Sequence, residues 1–334
     1  MITSFVLAMM LLIEYFTVRT KSKILTLIGK NPWTQIIIAA FLGIIPGCLG
    51  TFVAVSLYSH RVLAFPALVT VMIASSGDEA FVMFGEIPHE ALMITIILFI
   101  VAILTGFILN IFMKNKNFMK LKNNMLHEHK QPECVAFDRK KLIEDYKNIS
   151  FQRALLIFGT FIALIFIIIG EIGPKEWSEE KISLIIISSI VLFIVSTVPE
   201  HFLVEHLWKH TIKRHILKIF LWTFGALLAI ELLMPLLNIS QETFVPIAQK
   251  YYFLILLFAV LVGFIPESGP NMVFIFLFAS GYIPLSILIA NSIVQDGHGG
   301  LPLLAESRKS FIYSKLINMI VGVLFGVVGY LFSF

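Results

Sequence analysis

Apolar runs of about 20 residues, long enough to cross the hydrocarbon core of a bilayer as a helix, recur along the whole chain. The predicted segments are 2–18, 34–59, 62–85, 90–113, 151–170, 182–198, 216–237, 251–281, 284–306 and 311–333. Backbone that lies in lipid must satisfy its hydrogen bonds within the protein. The pattern therefore predicts an all-α polytopic membrane protein with about ten membrane segments.

The composition supports the same fold class. Of 334 residues, 58% are hydrophobic and only 14% are charged, whereas soluble domains carry about 25% charged residues. The first segment, "MITSFVLAMMLLIEYF", has neither a basic stretch before it nor a small-residue cleavage site. We expect it to be a retained span and not a signal peptide.

The net charge of +4 is distributed unevenly, and nine basic residues fall within residues 114–147. A run of this kind is typical of a cytoplasmic loop that lies beside anionic lipid. No nucleic-acid recognition motif accompanies it, so a nucleic-acid partner is not expected. The sequence predicts a cytoplasmic basic loop at 114–150.

The chain matches itself without gaps at an offset of 220 residues, which predicts an internal repeat. The pairs that carry the match are Gly43 with Gly263, Ile45 with Ile265, Pro46 with Pro266, and Gly77 with Gly297. The predicted divisions are repeat 1 at 1–113, the loop at 114–150, two linking spans with an interfacial helix at 151–215, and repeat 2 at 216–334.

Charge placement predicts that 34–59 and 251–281 are hairpins and not single spans. If each crossed the bilayer once, the basic residues between 19 and 30 would lie opposite the 114–150 loop, against the positive-inside rule. Hairpin arms of about 12 residues reach about half of the bilayer. The two halves then run in opposite directions, as inverted repeats with re-entrant hairpins. Broken helices at matching positions of such repeats are typical of a transport site.

Four stretches resemble one known family. They are "FLGIIPGCLGTFVAVSLYSHRVLAFPALVTVMIASSGDEA" (41–80), "STVPEHFLVEHLWKH" (196–210), "GFIPESGPNMVF" (263–274) and "QDGHGG" (295–300). On these residues the chain resembles the ten-helix heavy-metal exporters, which are related to arsenic efflux permeases and often labelled manganese transporters. The resemblance covers most of the chain. It implies a multi-pass protein of the bacterial cytoplasmic (inner) membrane that exports a divalent metal, with Mn²⁺ expected.

The hairpin tips supply the first candidate ligands. Glu267, Ser268 and Asn271 lie at the second tip, where an ionised carboxylate is costly unless it is paired or binds a cation. Cys48 and Thr51 lie at the first tip. The alternatives are that Glu267 reaches the interface and caps a helix arm, and that Cys48 is a small buried filler.

Two glycine-containing motifs at equivalent repeat positions supply further candidates. "QDGHGG" contains Asp296 and His298, and "SSGDEA" contains Asp78 and Glu79. Carboxylate, amide and imidazole groups form the ligand set expected for Mn²⁺ or a related divalent ion. The alternative is that both motifs are helix-end loops with solvated charges.

Other candidates lie away from these motifs. Glu14 and Glu231 are proton-coupling candidates or, equally, structural hydrogen-bond acceptors. The peripheral metal candidates are His201, Glu205, His206 and His210. An amphipathic surface helix is the alternative for that segment. The loop residues His127, Glu128, His129 and Cys134 either collect metal or belong to a solvated basic loop.

Enzyme motifs are missing from the sequence. It contains no H-E-x-x-H, Walker A or G-x-S-x-G motif, and "HFLVEH" has one residue too many for H-x-x-E-H.

We therefore expect a secondary active transporter that exports a divalent metal by alternating access, with proton antiport as a further hypothesis. The alternative is export of an organic or oxyanionic solute, including arsenicals, held by broken-helix N-termini. Two cysteines are too few for an arsenite thiolate cage.

The expected partners are the lipid bilayer and a small ion or small-molecule substrate. No cofactor is expected apart from the transported divalent metal. The sequence does not indicate an oligomeric state, and a homodimer stays open.

Overall fold

The computed structural model describes residues 31–59, 62–113, 150–172, 179–200 and 251–332, together with isolated positions between 177 and 250. All regular secondary structure in these ranges is helical. The helices are α1 (Pro32–Gly43), α2 (Leu49–Ser59), α3 (Phe65–Ala74), α4 (Glu79–Glu86), α5 (Pro88–Met113), α6 (Phe151–Ile169), α7 (Glu179–Thr197), α8 (Tyr252–Gly263), α9 (Ser268–Ala279), α10 (Leu285–Val294), α11 (Gly300–Glu306) and α12 (Arg308–Phe332).

Helices α6 and α7 belong to one compact unit, and the other described helices belong to a second. In the first unit, Ser150 caps α6 by accepting a hydrogen bond from the backbone N–H of Arg153. The buried Arg153 side chain lies 2.9 Å from Oε2 of Glu200 and donates to the carbonyl of Val198 at 2.6 Å. Arg153 thereby satisfies a backbone acceptor just beyond α7, where helix ends lack partners.

The second unit contains the same order of five helices twice. Helices α1 to α5 recur as α8 to α12, and the bounds of α1 and α3 reappear in α8 and α10 at an offset of 220 residues. Local hydrogen bonds recur as well. The N–H of Ile44 donates to the carbonyl of Ala40, and that of Phe264 donates to the carbonyl of Val260.

Four of the interruptions between these helices concern the site, and we call them break 1 (44–48), break 2 (75–78), break 3 (264–267) and break 4 (295–299). Breaks 1 and 3 lie at the tips predicted for the hairpins. Breaks 2 and 4 lie at the predicted glycine motifs "SSGDEA" and "QDGHGG" and divide the apolar segments 62–85 and 284–306 into helix pairs.

Glycine residues are the physical reason for breaks 2 and 4. Gly77 and Gly297 both have φ of +54°, a left-handed conformation that glycine adopts without steric cost. The Gly77 N–H is bound by Oγ of Ser75 at 3.2 Å, and the Gly297 N–H by Oε1 of Gln295 at 2.9 Å. These side chains replace the helical hydrogen bonds that each break removes.

Helices α3 and α10 form the interior of the second unit. All ten residues of α3 are buried, as are nine of the ten in α10, and a helix that is apolar all round packs in a core. By contrast, α5 and α12 present large apolar side chains outward, among them Ile96, Ile100, Leu104, Ile320, Leu324 and Leu331. Breaks 2 and 4 follow α3 and α10 directly and therefore start inside the helix bundle.

Membrane-spanning length is reached by four segments among the described residues: Phe65–Glu86, Pro88–Phe112, Phe151–Ile169 and Arg308–Phe332. Helices α1, α2, α8 and α9 have only 11 or 12 residues each. At 1.5 Å per residue such an arm covers about 18 Å of a roughly 30 Å hydrocarbon core. The chain is a multi-pass membrane protein in which segments of membrane-spanning length and shorter apolar helices coexist.

Close glycine packing at the ends of α1 and α8 yields a stability prediction. A Cβ on Gly43 would lie 2.5 Å from Cβ of Ala74, and one on Gly263 would lie 3.0 Å from Cβ of Val294. We expect Gly43→Ala to lower the free energy of unfolding by about 1–3 kcal/mol, because overpacking forces the neighbours to move. Gly263→Ala should cost less.

Thermal unfolding of the detergent-purified protein measures this effect. Gly159→Ala in α6 is the matched control, because no atom lies within 4 Å of its added Cβ; it should leave stability unchanged or raise it by up to about 1 kcal/mol. Equal melting temperatures for Gly43→Ala and the wild type would contradict the close packing of α1 on α3.

Candidate metal-binding site

The four breaks meet in the interior of the second unit. The N–H of Gly47 in break 1 donates to the carbonyl of Gly77 in break 2 at 3.0 Å. A Cβ on Gly77 would lie 3.0 Å from Cα of Gly297 in break 4, and a Cβ on Gly297 would lie 2.6 Å from Oγ of Ser268. Ser268 is the first residue after break 3. The backbone of breaks 1, 2 and 4 and the side chain of Ser268, next to break 3, therefore lie together at one place.

Three potential metal ligands converge at this meeting point. One ligand atom each from Cys48, Asp78 and His298 lies within 4.8 Å of the other two. Sγ of Cys48 is 3.7 Å from Oδ1 of Asp78, and Nδ1 of His298 is 3.7 Å from Oδ2 of the same carboxylate. Ligand atoms that share one ion at 2.0–2.3 Å lie about 3–4.6 Å apart. The group has the spacing of a metal site.

Asp78 and His298 occupy equivalent positions of the two halves, since their numbers differ by 220. The site is thus assembled from matching places in the chain that carry different side chains. One contributes a carboxylate and the other an imidazole.

Glu267 orients the imidazole from the opposite side. Its Oε1 lies 3.1 Å from Nε2 of His298. When Nε2 carries the imidazole proton, Nδ1, on the Asp78 side, is the nitrogen that can accept a metal. The side chain of Glu267 is 24% exposed and that of Asp78 is 3% exposed. Glu267 lies at the accessible edge of the group and Asp78 at its closed end.

Glu79 adds a second, fully buried carboxylate beside this group. Its Oε1 is 3.4 Å from Oγ of Ser292. Its Oε2 and the buried Oγ of Ser268 have no hydrogen-bond partner within the described residues. A buried polar atom without a partner is costly, and functional sites are one place where such atoms are found. The region next to the metal-ligand group is therefore polar and acidic.

Thr51 and Asn271 hold the breaks in place by their contacts. Oγ1 of Thr51 donates to Oγ of Ser75 at 3.1 Å. Asn271 donates to the carbonyl of Glu267 and accepts from Asn291, both at 2.8 Å. These sequence-predicted site residues connect break 2 to α2 and break 3 to α10. The contacts give them a positioning role.

Asp296 is paired with a cation. Its Oδ1 lies 2.8 Å from Nζ of Lys315, and both side chains are buried. The sequence motif predicted Asp296 as a metal ligand, and no role was predicted for Lys315. The available signal was a lone cation within the apolar segment 311–333, because intramembrane charges are rare and usually functional.

Several predicted residues fall outside the described part of the chain. These are Glu14, Glu231, His201, Glu205, His206, His210 and the loop 127–134. The predicted interfacial helix at 199–215 also lies largely outside it.

The chain matches one protein family over nearly its whole length. Residues 1–333 match the family described as "Putative, 10TM heavy-metal exporter". The chain belongs to this family. The match confirms the resemblance predicted from the sequence, and the family is one of multi-pass membrane transporters. No curated protein and no solved structure was found to match the chain.

The geometry predicts that Asp78 controls metal affinity. We expect Asp78→Asn to weaken Mn²⁺ binding about 10- to 100-fold, a loss typical of removing one charged group that supports a metal site. Isothermal titration calorimetry on the purified protein measures the affinity. The control is Glu86→Gln, which removes an exposed carboxylate elsewhere. Equal Mn²⁺ affinity in Asp78→Asn and Glu86→Gln would argue against the site.

Proposed function

We propose that this protein is a secondary active transporter that exports a divalent metal ion across the cytoplasmic membrane of a bacterium by alternating access. The observation that carries the proposal is the convergence of Asp78 and His298, with Cys48 donating to Asp78 and Glu267 3.1 Å from the imidazole. Membership of a heavy-metal exporter family supports the same substrate class.

The proposed mechanism uses the two halves of the second unit as inverted repeats. Recurrence of five helices at one offset supports this arrangement. The short paired arms α1–α2 and α8–α9 would be re-entrant hairpins that enter from opposite faces, with the breaks near the midplane. Rocking of one half against the other would then expose the same ligands first to the cytoplasm and then to the outside.

Mn²⁺ is the ion we propose as substrate. Cys48 donates its S–H to Asp78, and in this proposal it keeps that role when the ion binds, since only a thiolate is a metal ligand. The ion would then be bound by carboxylate and imidazole groups, with backbone carbonyls freed by the breaks. Such oxygen-rich sets suit Mn²⁺, while a thiolate would select softer ions such as Zn²⁺.

The acidity of the region disfavours an oxyanion. Four carboxyl groups lie in or beside the breaks, at Asp78, Glu79, Glu267 and Asp296, and the buried Lys315 lies against one of them, Asp296. An arsenate or organic anion would meet repulsion where a metal cation meets attraction. In the proposal, protons move inward as metal moves outward, with Glu14 and Glu231 as the predicted carriers.

Transport into inside-out vesicles tests the function. An acid lumen should drive uptake of radiolabelled Mn²⁺, and Glu267→Gln should reduce the rate about 10- to 100-fold, because the imidazole loses the carboxylate that orients it. Glu86→Gln should transport at the wild-type rate. Uptake that responds neither to the gradient nor to Glu267→Gln would contradict proton-coupled metal export.

The role of Cys48 separates Mn²⁺ from softer ions. Because a serine hydroxyl can also donate to Asp78, we expect Cys48→Ser to keep Mn²⁺ uptake within about 2-fold of wild type, and Cys48→Ala to lower it further by removing the donor. Uptake is measured with Mn²⁺ and with Zn²⁺. If Cys48→Ser abolishes Zn²⁺ uptake while the wild type prefers Zn²⁺ to Mn²⁺, the thiol is a ligand and the manganese assignment is wrong.

A further inference from the structure

Three oxygen atoms surround the ammonium group of Lys315 in the first third of α12. Oδ1 of Asp296 lies at 2.8 Å, and the ammonium donates to the carbonyls of Val294 at 3.0 Å and Gly263 at 3.1 Å. Lys315 is fully buried and Asp296 is 1% exposed. The charge therefore has no access to solvent and depends on these oxygens.

Both carbonyls belong to the last residue of a helix. Gly263 is the last residue of α8, and Val294 is the last residue of α10. Carbonyls at a helix C-terminus lack intrahelical partners and form the negative end of the helix dipole. In transporters with broken helices, such carbonyls and an acidic side chain are the ligands of a coupling cation like Na⁺. Here the same set of oxygens surrounds a lysine.

The first half has no ion pair at the positions that correspond to Lys315 and Asp296. At the 220-residue offset, Lys315 corresponds to Thr95 and Asp296 corresponds to Ser76. Thr95 donates its hydroxyl to the carbonyl of Ala91 within its own helix. The first half thus forms the same helix ends and the same glycine break without an ion pair at these two positions. The pair in the second half is an added feature with its own role.

We propose that Asp296 and the carbonyl oxygens of Gly263 and Val294 form a monovalent-cation site whose permanent occupant is the ammonium group of Lys315. The lysine is a tethered substitute for a dissociable Na⁺ or K⁺ ion. It joins the ends of α8 and α10 to α12, next to breaks 3 and 4, so the second half keeps its geometry without external sodium or potassium. This inference does not rest on the proposed transport function.

Thermal unfolding of Lys315→Ala in equal concentrations of NaCl, KCl or choline chloride tests the proposal. Removing the ammonium opens the site, so the melting temperature of the variant should rise saturably with Na⁺ or K⁺ and not with choline, because a ligand that binds only the folded state stabilises it. The wild type should melt at the same temperature in all three salts. No divalent metal is added, so the outcome is independent of metal export.

Two matched variants make the result specific. Asp296→Asn combined with Lys315→Ala removes the carboxylate as well, and its melting temperature should show no preference for Na⁺ or K⁺ over choline. Lys309→Ala removes an exposed lysine near the start of the same helix and should behave as the wild type. Where Lys315→Ala does not fold, Lys315→Met takes its place, since it retains most of the side-chain volume.

Recovery of the lysine variant in Na⁺ or K⁺ but not in choline also supports the site. The proposal is wrong if the single and double variants respond alike to the three salts. It is equally wrong if the double variant folds while neither lysine variant does in any salt, because the pair is then only a structural ion pair. A saturable Na⁺ or K⁺ response of the wild type would show that Lys315 does not fill the site.

Discussion

The contact between Gly77 and Gly297 is the constraint on which the interior of the second unit depends. Both residues adopt the same left-handed backbone, and each lacks the Cβ that would collide with the other break or with Ser268. Irregular backbone at membrane depth is tolerated only where protein or a watery cavity encloses it. By meeting each other, the breaks provide that enclosure, and the side chains next to them become neighbours.

Two kinds of charge result from this convergence. At one end, Asp78, His298 and Glu267 present groups that can exchange partners with a mobile ion, and part of this group remains accessible. At the other, Asp296 and Lys315 are closed off from solvent and hold one another. A buried ion pair is costly to form and costlier to split. In the proposed architecture, a site that exchanges metal ions therefore lies beside an ion pair that does not exchange its partners.

Local sequence signals could predict the breaks but not their pairings. Gly-x-Ile-Pro at 43–46 and 263–266 and the glycines of "SSGDEA" and "QDGHGG" mark where helices stop, because proline and glycine act on their own backbone. Which carboxylate meets which cation depends on contacts between distant helices. Asp296 pairs with Lys315 in the next long helix, and Cys48 meets Asp78 across two breaks. No periodicity encodes such contacts.

The equivalence of positions 78 and 298 has a consequence for how such a site can arise. Two identical five-helix subunits, paired about an axis, would place the same side chain at both positions. That would set carboxylate against carboxylate, or imidazole against imidazole. Joining both copies in one polypeptide removes this restriction, because each copy then mutates separately. An acid opposite an imidazole is therefore open to a single chain that carries both halves and closed to a symmetric homodimer of one half.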